Sequence, residues 1–127
     1  MELTDKKLDK LIKFLKKSFE DERTKPGGTD HGMIIIARMC MAAEEYKSLR
    51  DTGNFIEGRD PVPMEYILEE LKHYEEDETD YSDTPKKYIE LGETLHQVFV
   101  ELKKTRLIHK IVELSNQIHE ERQKEDI

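Results

Sequence analysis

The sequence predicts an all-α protein: a bundle of four to five helices in one domain over residues 1–127, with a central apolar second helix and a long C-terminal helix. Three observations carry the prediction. Apolar residues recur at helical spacing along most of the chain. Only 35% of residues are apolar against 39% charged, which suits helices with wide solvated faces. Five Met, no Trp and only six Gly point to helix rather than sheet. The length is that of an ordinary domain able to bury a core.

Taken in order, Thr4 is placed to cap a first helix over about 4–23, with Leu8, Leu11, Ile12, Leu15 and Phe19 on one stripe. Phe14 lies off that stripe and is either half exposed or part of a second contact. Lys25-Pro26-Gly27-Gly28 reads as a connecting turn; it lacks the Gly-Lys-Ser/Thr ending of a phosphate-binding loop. Thr29 or Asp30 then caps a second helix over about 30–51. Its residues Met33 to Ala37 and Met39 to Ala43 are apolar almost all the way round, which predicts burial by several neighbours. Arg38 stands alone there, on nearly the same side as Glu45, and is expected to meet Glu45 or an acid of the next helix. Phe55 and Ile56 are expected to fold back from a loop onto the core. A third helix over about 62–76, with proline in its first turn, turns Met64, Ile67, Leu68 and Leu71 inward, and Tyr74 extends that face.

Thr84-Pro85 opens the last helical stretch, which holds a single Gly92 and no further proline. Leu91, Leu95, Val98, Phe99 and Leu102 form one stripe; Leu107, Ile108, Ile111, Leu114 and Ile118 form another. At about 100° per residue the second stripe lies more than ~120° around the helix from the first. One straight rod cannot bury both against the same neighbours. Either the chain breaks into helices over about 85–104 and 106–124, or it continues and its second stripe packs on another subunit. Lys103 to Arg106 include no Gly or Pro, which favours the continuous helix.

The formal net charge of -8 is unevenly placed. Glu65 to Asp83 carry nine acids against Lys72, so the remainder sums to zero, and Glu69, Glu70, Glu75, Glu76, Asp77 and Glu78 make an acidic surface suited to a basic protein partner. The first helix carries six lysines, but no arginine and only one aromatic, Phe14, is interleaved among them to stack on bases, so nucleic acid is not the expected partner. No stretch reaches the ~18 apolar residues of a membrane span, and the N-terminus lacks a signal-peptide pattern. Cys40 alone permits no internal disulfide, and the expected location is the cytoplasm. With no histidine within a helical turn of it in sequence, Cys40 is expected to be inert packing.

Two constellations bear on chemistry. Glu70–His73 and Glu93–His96 share the Glu-x-x-His spacing of carboxylate-bridged metal bundles, so a carboxylate/histidine metal site is one alternative. Nineteen glutamates make nearly one such pair expected by accident. The stretch Ile89-Glu90-Leu91-Gly92-Glu93-Thr94-Leu95-His96-Gln97-Val98-Phe99-Val100 resembles the Glu-Leu-Gly-Asp helix of MazG-like nucleotide pyrophosphohydrolases, which are all-α and magnesium-dependent. The resemblance implies Glu90 and Glu93 as Mg2+ ligands, with acids of the preceding helix beside them. It covers about a dozen residues, Glu93 stands where the family has aspartate, and Glu65, Glu69 and Glu70 do not reproduce the family's second acidic pair. Across the two alternatives the candidate ligands are Glu69, Glu70, His73, Glu90 and Glu93, with His96 completing the second Glu-x-x-His pair. Nucleophile triads, dinucleotide fingerprints and zinc spacings are missing. The leading expectation is a non-enzymatic interaction protein without a cofactor, forming a homodimer through Leu107, Ile108, Ile111, Leu114 and Ile118.

Overall fold

A computed structural model describes residues 2–125, and among these the chain is all-helical, with four helices and no strand. They are α1 (Asp5–Thr24), α2 (Asp30–Thr52), α3 (Met64–Glu76) and α4 (Lys86–Glu125). Each boundary has a local cause. The Thr4 hydroxyl accepts from the Lys7 N–H at 3.2 Å, and the Thr29 hydroxyl accepts from the Gly32 N–H at 3.1 Å, so both helices start on side-chain caps. Between them Gly28 lies so close to α1 that a Cβ would run into the Glu22 carbonyl oxygen. α2 ends at Gly53, whose left-handed φ of 73° lets its N–H return to the Leu49 carbonyl at 2.9 Å. Pro63 precedes the first turn of α3, two residues later than the sequence suggests.

α1 and α2 run antiparallel, tied by Lys47–Asp9 at 2.6 Å and by Arg50 to Asp5. The first half of α4 touches α1, α2 and α3, whereas α3 lies along α4 and not along α2. Leu8, Leu11, Ile67, Val98, Phe99 and Leu102 are the fully buried centre of this arrangement. Both expected stripes, on α1 and on the first half of α4, face it, except Phe19, which is half-buried near the end of α1 and does not join the core. Val62 is buried from the connecting loop, and Phe55 packs on the same core.

One open alternative closes and two expectations change. The last forty residues of the described chain form one helix, the continuous form that the residues from Lys103 to Arg106 favour, which makes four helices among the described residues. Nothing between Leu102 and Leu107 interrupts the backbone ladder, in keeping with the absence of Gly and Pro there. Burial of α2 is graded: Cys40, Ala42, Ala43, Tyr46 and Leu49 are buried, but Met33, Ile35 and Ile36 are half-covered and Ile34 is exposed. The reason is that α3 covers α4 rather than the first turns of α2. For the same reason Leu68 is exposed rather than inward. Phe14 is at the margin, 6.0 Å from the Tyr88 ring.

Core and projecting apolar residues should therefore respond differently to truncation. Phe99→Ala should cost about 3–5 kcal/mol by the loss of a fully buried ring and the cavity left behind. Leu114→Ala, at an exposed position, should change the unfolding free energy of dilute protein by less than about 0.5 kcal/mol in urea titrations.

Candidate functional site: the uncovered half of α4

The second half of α4 leaves the helical body at a defined point. Arg106 donates to the Val62 carbonyl, lies 4.0 Å from the Glu45 carboxylate, and holds its guanidinium 5.8 Å from the Phe55 ring centroid. One turn later His109 meets the edge of Phe55 at 5.2 Å. Past His109 every described residue is exposed. Leu107, Ile108, Ile111, Val112, Leu114 and Ile118 are 48–62% exposed, although they are large apolar side chains. All five residues expected to mediate self-association are thus brought onto one uncovered segment, with Val112 at its margin.

Spacing within the segment is specific. Leu107, Ile111, Leu114 and Ile118 follow one another at steps of four, three and four. That alternation matches the a/d spacing of a coiled-coil seam, which would place Leu107 and Leu114 at d and Ile111 and Ile118 at a. β-branched residues at a with leucine at d favour two parallel strands. Lys110 and Ser115, then Gln117 and Arg122, occupy the flanking g and e positions, so a parallel pairing sets no like charges against each other there. From Leu107 to Glu125 three Lys or Arg face four Glu, a near-neutral balance in a chain of net charge -8.

The anchor at the root of this segment was not legible as such. Glu45 is buried, and its Oε1 accepts from the Val62 N–H at 2.8 Å while Oε2 has no hydrogen-bond partner. Arg38 does not meet Glu45 or an acid of α3. It is exposed and lies 5.5 Å from the Tyr66 ring centroid, because α3 presents that ring where an acid was expected. The partner of Glu45 is Arg106, which is 61 positions away and carries no local signal. Cys40 is buried, donates to Glu44 Oε1 at 3.3 Å, and has its thiol pushed up to about 11 by burial and by that carboxylate. A thiol held so far from ionisation is a poor nucleophile.

The acids divide into separate places. Glu69, Glu70, Glu75 and Glu76 belong to α3, and Asp77 and Glu78 open the turn that follows. Burial raises the Glu70 carboxyl above its ordinary range. In the turn, Asp77 accepts from the Thr79 N–H at 2.9 Å and from the Tyr81 hydroxyl, and Asp80 accepts from the Ser82 N–H at 3.0 Å. The segment is therefore shaped by its own side chains. Of the alternative ligands, Glu69 and His73 are 3.9 Å apart on α3, whereas Glu90 lines a groove with Lys6, Lys7 and Lys10 of α1. Glu93 borders both that groove and a cavity facing Asp77. Among the described residues no group of three or more His, Cys, Asp or Glu is gathered where it could hold a metal ion. No described helix is long and apolar enough to cross a membrane.

The buried carboxyl sets a pH dependence. Desolvation raises Glu45 above its ordinary range, and the Val62 N–H and Arg106 offset this only in part. The folded protein then holds the proton more tightly than the unfolded chain, so this group's contribution to stability falls as pH rises between the two pKa values. Urea unfolding from about pH 4 to 7 should show wild type losing stability relative to Glu45→Gln, with the loss levelling off above the folded-state pKa. Curves that stay parallel would show that the carboxyl titrates alike in both states. No protein-family model matches this sequence, and no curated protein and no solved structure matches it either.

Proposed function

We propose that the protein works as a helical interaction module that forms a homodimer, two copies pairing in parallel along the second half of α4. The observation that carries the reading is the exposed Leu107–Ile111–Leu114–Ile118 seam on a helix anchored at Arg106. Six half-exposed aliphatic residues in one segment are more than a solvated helix face needs. The partner is a second copy because the seam complements itself: isoleucine faces isoleucine, leucine faces leucine, and the flanking positions carry no like-charge pair. The offset between the two stripes supports the same reading. The first stripe faces the body, so the second is left open to an approaching helix.

Energetics make the pairing concentration-dependent. Covering four half-exposed side chains on each copy contributes on the order of 6–12 kcal/mol, taking about half of the value for full burial. Association costs about 4–15 kcal/mol in lost freedom. The helix past His109 has no tertiary support within the chain, and isolated helices of about 12–15 residues are marginal in water. Pairing and helix formation in this segment should therefore be coupled. The acidic surface of Glu69, Glu70, Glu75, Glu76, Asp77 and Glu78 lies on other parts of the chain and stays available to a basic partner in the dimer.

Light scattering on wild type and Ile111→Glu tests the proposal. Wild type should show the dimer mass at high protein concentration and dissociate on dilution, with helical circular dichroism falling as it does. Ile111→Glu should be a folded monomer, because the residue touches no core. A wild type that stays monomeric up to about millimolar concentration would sink the self-association reading.

A further inference from the structure

We infer that the cavity between the end of α3, the turn after it and the start of α4 binds an alkylated ammonium group, as carried by choline-like small molecules or by a methylated lysine side chain. The cavity has a volume of about 430 Å3, room for a trimethylammonium head and a short chain. Three of the protein's five tyrosines, Tyr74, Tyr81 and Tyr88, line it together with Asp77, Glu93 and His96. Aromatic faces attract cations through their quadrupole, most strongly cations that shed water easily, and quaternary ammonium is such a cation. The two carboxylates add attraction for a cation and oppose an anion. A neutral apolar guest would gain from the rings but nothing from the acids.

The walls are held in place before any ligand arrives. Tyr74 stacks on His96 with centroids 4.5 Å apart and planes 21° from parallel. Tyr81 is held by its hydroxyl, which donates to Asp77. Asp77 in turn accepts from the Thr79 N–H, and hydrogen bonds from Thr79 and Tyr81 keep its carboxyl below the usual carboxylate range, so it remains charged. Tyr88 touches Phe14, and Lys87 Nζ lies 4.9 Å from its ring centroid; neither Phe14 nor Lys87 lines the cavity. Such preorganisation lowers the ordering cost of binding. Gly92 also borders the cavity, and a Cβ added there would meet nothing within 4 Å, so a larger side chain at that position has open space to occupy.

The inference deepens the acidic-surface part of the proposed function, since Asp77 belongs to both, and it is independent of pairing along α4. The test titrates the full chain with tetramethylammonium, with choline and with a peptide bearing one trimethyl-lysine, following the tyrosine ring signals by NMR. The neutral isostere 3,3-dimethyl-1-butanol is the control. The cations should shift the Tyr74, Tyr81 and Tyr88 signals saturably, and the isostere should bind at least about tenfold more weakly. Choline binding without peptide binding would assign a free small molecule; tighter peptide binding would assign a protein-borne group. Gly92→Leu should abolish the shifts with unchanged circular dichroism. Should that variant misfold, Tyr81→Ala in the exposed turn should weaken binding about tenfold. The cage is overturned by unsaturable shifts with all three cations, by equal binding of the isostere, or by either folded variant binding as wild type does. Capture of unmodified polylysine without any response to quaternary ammonium would overturn the cage and leave the acidic surface standing.

Discussion

The structure depends on the backbone of one residue, Val62, being gripped from two sides. Glu45 of α2 accepts its N–H, and Arg106 of α4 donates to its carbonyl. Two helices and the loop between α2 and α3 meet at that residue. The three charged or polar partners are also within reach of one another, the guanidinium being 4.0 Å from the carboxylate. A buried carboxylate is costly unless it is paired and hydrogen-bonded, and Glu45 meets that condition with one oxygen while the other relies on the nearby charge. The cost is tolerated because the contact does what an apolar residue cannot: it directs the loop and α4 to one relative position. The Phe55 ring under the guanidinium closes the arrangement on its outer side.

From that point α4 serves two surroundings in succession. Its first half meets three helices and supplies Val98, Phe99 and Leu102 to the core. Its second half meets only solvent in the isolated chain. An amphipathic helix ordinarily has one apolar face; this one has two, separated along the axis and rotated about it. Docking the first face on the body leaves the second face uncovered.

Much of this was legible in the sequence where the signal is local. Thr4 and Thr29 as caps, the stripes of α1 and early α4, the acidic turn and the uncovered C-terminal stripe all follow from spacing within a few turns. Continuity of α4 was favoured by the residues from Lys103 to Arg106, which contain no breaker. What was not legible required knowledge of neighbours. Apolarity around α2 suggested full burial, but which side of it stays open depends on α3 docking against α4. Leu68 and Ile34 are exposed for that reason. Glu45 was assigned by proximity in sequence to Arg38, whereas its counterpart comes from the far end of the chain. The aromatic cavity did leave a trace: Tyr74, Tyr81 and Tyr88 recur every seventh residue across a helix, a turn and a helix. Each residue had a separate local reading, and only the hairpin of α3 and α4 brings them to one place.

Because α4 is unbroken, the body and the seam share one helical phase, like two gears keyed to one shaft. Each residue inserted just after Arg106 would turn the seam by about 100° relative to the body and move it outward by about 1.5 Å. Seven inserted residues would carry it about 10 Å further out while returning it to within roughly 20° of its original bearing. The bearing of the seam relative to the body is then encoded in the count of residues between Leu102 and Leu107, not in any tertiary contact of the seam itself.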